Sequence, residues 1–312
     1  MKIVIAEPLH IPDDELDADI ARLLPDADVV RFDSRPADDV EYVERVKDAD
    51  VIVVANMPLR AGVLARCPHL KLVSIAFVGF DHVDVGWCHD HGIAVANSPT
   101  YPTQAVAELV MGLTLAVLRK VRDGDRAVRG QGTNAGLAGG ELHGRTVGII
   151  GAGRIGQRTA ELARAFGSTT IGYNRSPKSI EGLELFPLED VLRRADIVSL
   201  HVPLTPQTKH LLDRERLALL NPGAVVINTA RGPVVDTAAL AEALRSGRIA
   251  GAGLDVFDTE PPLAPDDPIL SAPNTVLTPH VGFDTVEALA YRAEQVLGNI
   301  RSWQQGRPEN QV

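Results

Sequence analysis

Short apolar runs separated by amphipathic stretches recur along almost the whole chain, and this alternation restricts the available folds more than any other feature. The first series of runs is KIVIA, ADVVRF, ADVIVVA, LKLVSIA and GIAVAN, with segments such as DELDADIARLL and DVEYVERVKDA between them. The second is TVGIIG, TTIGYN, DIVSLHVP, AVVINTA, AGAGLDVF and TVLTPH. Strand–helix alternation of this kind predicts α/β architecture with mostly parallel sheets. At 312 residues the chain is about twice the soft per-domain length of ~150, so two such domains are expected. Between the two series, about 103–128 reads as one long helix, and Gly-rich 130–140 reads as a connection. The amphipathic stretch TVEALAYRAEQVLGNIRSWQQG predicts a helix after Phe283.

Charge narrows the partners. The net charge is −10, without a basic face of the kind phosphate neutralisation needs, which argues against nucleic acid and leaves room for a small anionic ligand. Cys67 and Cys88 are too few for a disulfide framework and fit a reducing compartment. LVMGLTLAVL, 109–118, falls short of the ~20 apolar residues that span a bilayer and reads as a buried helix. The opening MKIVIAEP reads as a strand and lacks the features of a signal peptide, so a cytoplasmic protein without membrane contact is expected.

The second series opens on Gly151-Ala152-Gly153-Arg154-Ile155-Gly156, a GxGxxG pattern led in by TVGII and followed by the helical IGQRTAELARAFG. In a dinucleotide site the first glycine makes the tight turn and the second admits backbone to the pyrophosphate. The third lets helix pack on strand, and the helix N-terminus faces the negative charge. The strand that follows ends in Asn174, where such sites usually carry an acid for the ribose hydroxyls, with Arg175, Ser176 and Lys178 close behind. A neutral amide beside Arg and Ser would welcome a 2′-phosphate, which favours NADP(H). The other reading has Arg175 stacking on adenine and NAD(H) in use.

Ligands of open α/β sheets bind outside the carboxyl ends of the strands. Arg231 follows AVVINTA, Glu260 follows AGLDVFDT and His280 follows TVLTP, so a guanidinium, a carboxylate and an imidazole are expected on one sheet edge. These are the parts of a nicotinamide-linked carbonyl reduction. Histidine protonates the developing alkoxide, a carboxylate on its far nitrogen fixes the tautomer, and arginine binds a 2-keto acid and polarises its carbonyl. Cys88-His89-Asp90-His91 reads as a helix end rather than a metal site, and His82 and Asp84 read as structural.

Five motifs, GIIGAGRIG, SLHVPLTPQTKHLL, VINTARGPVVD, GLDVFDTEPP and TPHVGF, with the loop FVGFDHVD, carry an end-to-end resemblance to the D-isomer-specific 2-hydroxyacid dehydrogenases. The resemblance implies two Rossmann-like or flavodoxin-like domains. A cofactor domain, 101–283, would be inserted into a discontinuous substrate domain, 1–100 plus 284–312. It implies that His280 is the acid/base, Glu260 its partner and Arg231 the substrate-binding cation. Val78 and Gly79 would offer N–H groups to the substrate carboxylate. Cofactor contacts would fall on Arg154, Ile155, Asn174, Thr229, Ala230, Arg231, Asp255 and Gly282, with His201, Pro203 and Thr208 lining the cleft. The region 103–128 would form a homodimer interface.

Two positions depart from the family pattern: Asn174 replaces the usual acid, and Phe283 replaces a small residue in the turn after the histidine. Glu260 argues against formate oxidation, which uses an amide there. The loop Ala55-Asn56-Met57-Pro58-Leu59, with Arg60 its one cation, argues against phosphoglycerate. A small 2-keto acid such as glyoxylate, hydroxypyruvate or pyruvate is the expected substrate, with Phe77, Phe80 and Met57 available to line a pocket. The rival reading is a dinucleotide-sensing corepressor-like protein without physiological turnover.

Overall fold

A computed structural model describes residues 1–176 and 179–312. In chain order its elements are β1 (Lys2–Ile5), α1 (Asp13–Leu23), β2 (Asp28–Arg31), α2 (Asp39–Val46), β3 (Val51–Val54), α3 (Ala61–Leu64), β4 (Leu72–Ile75), α4 (Val85–Asp90) and β5 (Ala94–Ala96). Then come α5 (Thr103–Leu118), α6 (Val121–Arg129), β6 (Thr146–Ile150), α7 (Arg154–Ala165), β7 (Thr169–Tyr173), β8 (Glu184–Leu185), α8 (Leu188–Arg194) and β9 (Ile197–Leu200). The last are α9 (Arg214–Leu219), β10 (Val225–Asn228), α10 (Thr237–Arg245), β11 (Gly251–Leu254), β12 (Thr275–Leu277) and α11 (Val286–Gln304). The chain divides into two compact units, one of Met1–Pro102 with Phe283–Val312 and one of Thr103–Gly282. Among the described residues no helix is long and apolar enough to cross a membrane.

The first unit holds a parallel sheet in the order β2-β1-β3-β4-β5. Alternate residues of each strand face opposite sides. Val4, Ile52, Val54, Val73 and Val95 join a core with Tyr42, Val46, Leu64 and Cys88 from α2, α3 and α4. Ile3, Ile5, Val51, Val53 and Leu72 join another with Leu16 of α1 and Val296, Leu297 and Ile300 of α11. Burial on both faces explains why VIVV reads as a continuous apolar run.

The second unit holds a seven-stranded parallel sheet, β12-β11-β10-β9-β6-β7-β8. The order reverses between β6 and β9, the place where doubly wound sheets open a ligand crevice. Helices α5 and α7 cover one face through Val110, Leu113, Val117, Ala160 and Ala163, while α8, α9 and α10 cover the other.

One expectation fails here. The stretch 103–128 is two helices, not one, and Lys120 between them has φ 49° in the left-handed region. After Leu118 the sequence RKVRDGDR offers no apolar face, and the Leu118 carbonyl accepts the N–H of Gly140 at 2.9 Å instead of continuing the helix. Helix α6 accordingly has no buried residue.

Candidate active site

The Gly-rich turn forms at the reversal point. Gly151 has φ +100°, and a Cβ there would lie 2.6 Å from the His201 carbonyl oxygen, so only glycine admits the close pass of the chain leaving β9. Where α9 and α10 are capped by Asp213 and Asp236, α7 starts at Gly153 with no side chain over its first turn. A Cβ on Gly153 would meet nothing within 4 Å. That leaves open space in front of first-turn N–H groups, which have no partner within their own helix and attract a phosphate anion. The buried Thr229 hydroxyl also has no hydrogen-bond partner among the described residues. Both features fit a dinucleotide.

Of the other expected contacts, Asn174 donates from Nδ2 to the Ser176 carbonyl at 2.8 Å, Arg175 and Ser176 are exposed, and Lys178 lies outside the described residues. His201 is half-buried and meets Ser199 Oγ through Nε2 at 2.9 Å, and burial pushes its pKa down to about 4. Thr208 donates to the Pro203 carbonyl at 2.6 Å and accepts from the Thr205 N–H at 2.8 Å, closing the loop after β9.

Strands β10, β11 and β12 lie side by side, with Asn228 in register with Leu254 and Leu254 with Leu277. Their ends launch the three expected reacting groups. Arg231 is half-buried in a turn shaped by Asn228, whose Oδ1 accepts the Ala230 N–H at 3.0 Å and whose Nδ2 donates to the Arg231 carbonyl at 2.9 Å. A Cβ on the next residue, Gly232, would collide with the Phe257 backbone, so the turn packs directly on the segment leading to Glu260.

His280 meets Glu260 at 3.1 Å, Nδ1 to Oε1, with side-chain exposures of 22% and 48% that leave the pair open to solvent and solutes. A proton on Nδ1 is held by that carboxylate, which fixes the tautomer of the neutral ring. His280 sits at φ 57°, a backbone state that costs a non-glycine residue of order 1–2 kcal/mol. Asp255 holds it there. Its carboxylate accepts from Thr278 Oγ1 at 2.6 Å, Val281 N at 2.9 Å and Gly282 N at 2.8 Å, while its own carbonyl accepts the His280 N–H at 2.8 Å. Burial raises the Asp255 pKa, and these three donors oppose the rise.

Residues 111–282 match the model for the D-isomer specific 2-hydroxyacid dehydrogenase NAD binding domain. The chain belongs to the D-isomer specific 2-hydroxyacid dehydrogenase family. It is 42% identical to the glyoxylate reductase of Pyrococcus furiosus over 279 residues, 85% of this chain and 82% of the relative. It is 39% identical to the D-3-phosphoglycerate dehydrogenase of Methanocaldococcus jannaschii over 295 residues, which are 92% of this chain but about half, 54%, of that longer relative. Among solved structures, an acyclic imino acid reductase in complex with NADPH and D-Arg superposes with a TM-score of 0.92 at 31% identity, covering 100% of both chains. Family membership places the chain among dinucleotide-binding oxidoreductases of the CH–OH group, built on two Rossmann-type domains.

In the first unit, the loop after β4 presents Val78 and Gly79, whose N–H groups have no hydrogen-bond partner among the described residues. Asn97 fixes this loop by donating to the Val78 carbonyl at 2.7 Å, and Asn299 of α11 fixes Asn97 through its carbonyl at 2.8 Å. The sequence reading missed Asn97, Asn228 and Asn299. Asparagine is common in turns, and only the contacts across the fold single these three out. Cys88 is fully buried, and His91 stacks on Trp87 at 3.7 Å. Asp84 accepts the Ala61 N–H at 2.8 Å.

Proposed function

We propose that this family member reduces a small 2-keto acid to the D-2-hydroxy acid, and that His280, Glu260 and Arg231 carry the reaction. The observation behind this reading is the 3.1 Å His280–Glu260 pair beyond the ends of β12 and β11, the latter adjoining the strand that launches Arg231. A reduced nicotinamide dinucleotide, when bound, supplies the hydride, and with it both electrons, to the carbonyl carbon. Arg231 draws the carbonyl oxygen and the neighbouring carboxylate into place with its planar fork. As negative charge grows on that oxygen, His280 Nε2 gives up its proton, and Glu260 steadies the imidazolium beforehand and orients the neutral ring afterwards. Val78 and Gly79 supply open N–H donors to the substrate carboxylate. Gly151 to Gly156, Asn174, His201, Thr208, Thr229 and Ala230 serve the cofactor, while Asp255 and Gly282 hold the turn that carries His280.

Glyoxylate, hydroxypyruvate and pyruvate fit this reading better than a phosphorylated acid. Arg60 is tied to the Asp81 carbonyl at 3.3 Å and to Asp84 at 3.8 Å, and Arg35 to Glu7 at 3.1 Å, so the cations of that region are already engaged. The uncharged Asn174 favours NADP(H), in line with the NADPH bound by the imino acid reductase of similar fold. The deciding experiment assays these keto acids with NADH and NADPH in the wild type, His280→Gln and Asn174→Asp. Turnover in the wild type, its loss in His280→Gln, and a shift toward NADH in Asn174→Asp are expected. Undiminished turnover in His280→Gln would overturn the assignment of the acid.

A further inference from the structure

Arg292, on α11, is 1% exposed, among the largest fully buried side chains of the molecule. Its Nη2 donates to the Leu9 carbonyl at 2.6 Å, and no ion pair involves it among the described residues. Nε is buried without a hydrogen-bond partner. The guanidinium carbon instead lies 5.7 Å from the ring centroids of both Tyr101 and Phe283. A buried cation met by one carbonyl and two ring faces is poorly compensated, since a charge out of water needs an opposite charge or a full set of hydrogen bonds. Such unmet groups in folded proteins call for a specific explanation.

The surroundings supply one. Phe283 stands edge-on to Phe77 at 5.1 Å, and Phe77 contacts Tyr101 at 6.4 Å. Phe77 immediately precedes Val78 and Gly79, the open N–H donors proposed above for the substrate's first carboxylate. The positive charge thus backs an aromatic wall that begins one residue from that carboxylate. Aromatic rings exclude water without cancelling a field, so the charge acts at the wall's far surface more strongly than it would through solvent. The chain's net charge of −10 provides no general attraction for an anion, which makes a local cation the decisive one.

We infer that Arg292 is a specificity-determining residue, and that it selects 2-keto acids carrying a second carboxylate, four- or five-carbon 2-oxo dicarboxylic acids, over uncharged acids of equal length. The inference rests on the proposed keto acid reduction and names its substrate class. The first carboxylate takes the Val78 and Gly79 donors, and the second lies against the Phe77–Tyr101–Phe283 wall, where Arg292 supplies the counter-charge from behind the rings.

Matched pairs test it. Oxaloacetate is compared with 2-oxobutyrate, and 2-oxoglutarate with 2-oxovalerate, by kcat/KM in the wild type, Arg292→Lys and Arg292→Met. The wild type is expected to favour the diacid of each pair by about tenfold or more, the effect of one unit charge acting across a low-dielectric wall. Arg292→Met is expected to collapse that ratio toward one, chiefly through the diacid's KM, and Arg292→Lys to keep part of it. A merely structural arginine would lower both members of a pair alike, and that outcome overturns the inference. A wild-type ratio near one overturns it too, whether or not Arg292→Met folds. Reduction of monoacids without diacid preference defeats only the Arg292 assignment, whereas no reduction of any keto acid defeats the underlying reaction as well.

Discussion

His280 combines a proposed chemical role with a conformational cost. Its left-handed backbone would suit glycine, so His280→Gly is expected to lose activity by about 10²–10⁴-fold, the worth of a positioned general acid. The same variant should keep its stability or gain about 1 kcal/mol, read from urea unfolding. Loss of activity together with loss of stability would mean that the ring, not the backbone, holds the turn. His201 titrates in the opposite sense to a stabilising ion pair. It stays neutral in the fold down to about 4 and protonates near 6.5 once unfolded. Between those values the unfolded chain takes up a proton that the fold refuses. Stability therefore falls as pH drops through that window, by roughly 2–3 kcal/mol, with no further contribution below it. Across this range the unfolding free energy from urea titrations should fall further in the wild type than in His201→Asn by that amount. The placement of Arg231, Glu260 and His280 was legible because each sits where an apolar run ends, a position with few structural uses for a charged group. The groups that hold the trio were not, since Asn228 went unread and Asp255 was read only as a cofactor contact. Asn228 works through bonds to its own turn, and Asp255 through a turn more than twenty residues away, and neither leaves a periodic trace.

At the level of elements, the strands were the most readable part of the chain, because burial on both faces writes several of them as short runs rich in Val and Ile, as in VIVV and VVIN. Strand β8 escaped notice, since two residues, Glu184 and Leu185, are too short to show any period. The break between α5 and α6 was hidden for a different reason. Propensity alone lets a helix run through Arg119 to Arg126, and what stops it is a tertiary bond from Gly140 to the Leu118 carbonyl. The left-handed Lys120 at the junction is the residual strain of that arrangement. Lys120→Gly is expected to raise unfolding free energy by up to about 1 kcal/mol. A loss of stability in that variant would show that the Lys120 Nζ contact with the Gly136 carbonyl, at 3.0 Å, outweighs the backbone cost.

For the molecule as a whole, each unit carries its own pair of cores, one on either face of its sheet. Both thiols, Cys67 and Cys88, belong to the first unit, and burial pushes each to a pKa of about 11. A thiol reagent at mildly alkaline pH should leave both unlabelled in the native protein and modify both when urea opens that unit. Labelling in the absence of urea would show that the unit opens on its own. If the α5–α6 region joins two copies, light scattering on the purified chain is expected to give twice the monomer mass, and a monomer mass would refute that role. The order of translation adds a consequence. Val296, Leu297 and Ile300 cover one face of a sheet whose strands are all made within the first hundred residues. A nascent chain therefore carries an uncovered apolar surface out of the ribosome while the whole second unit is still being synthesised, and it is over that interval that chaperones have most to shield.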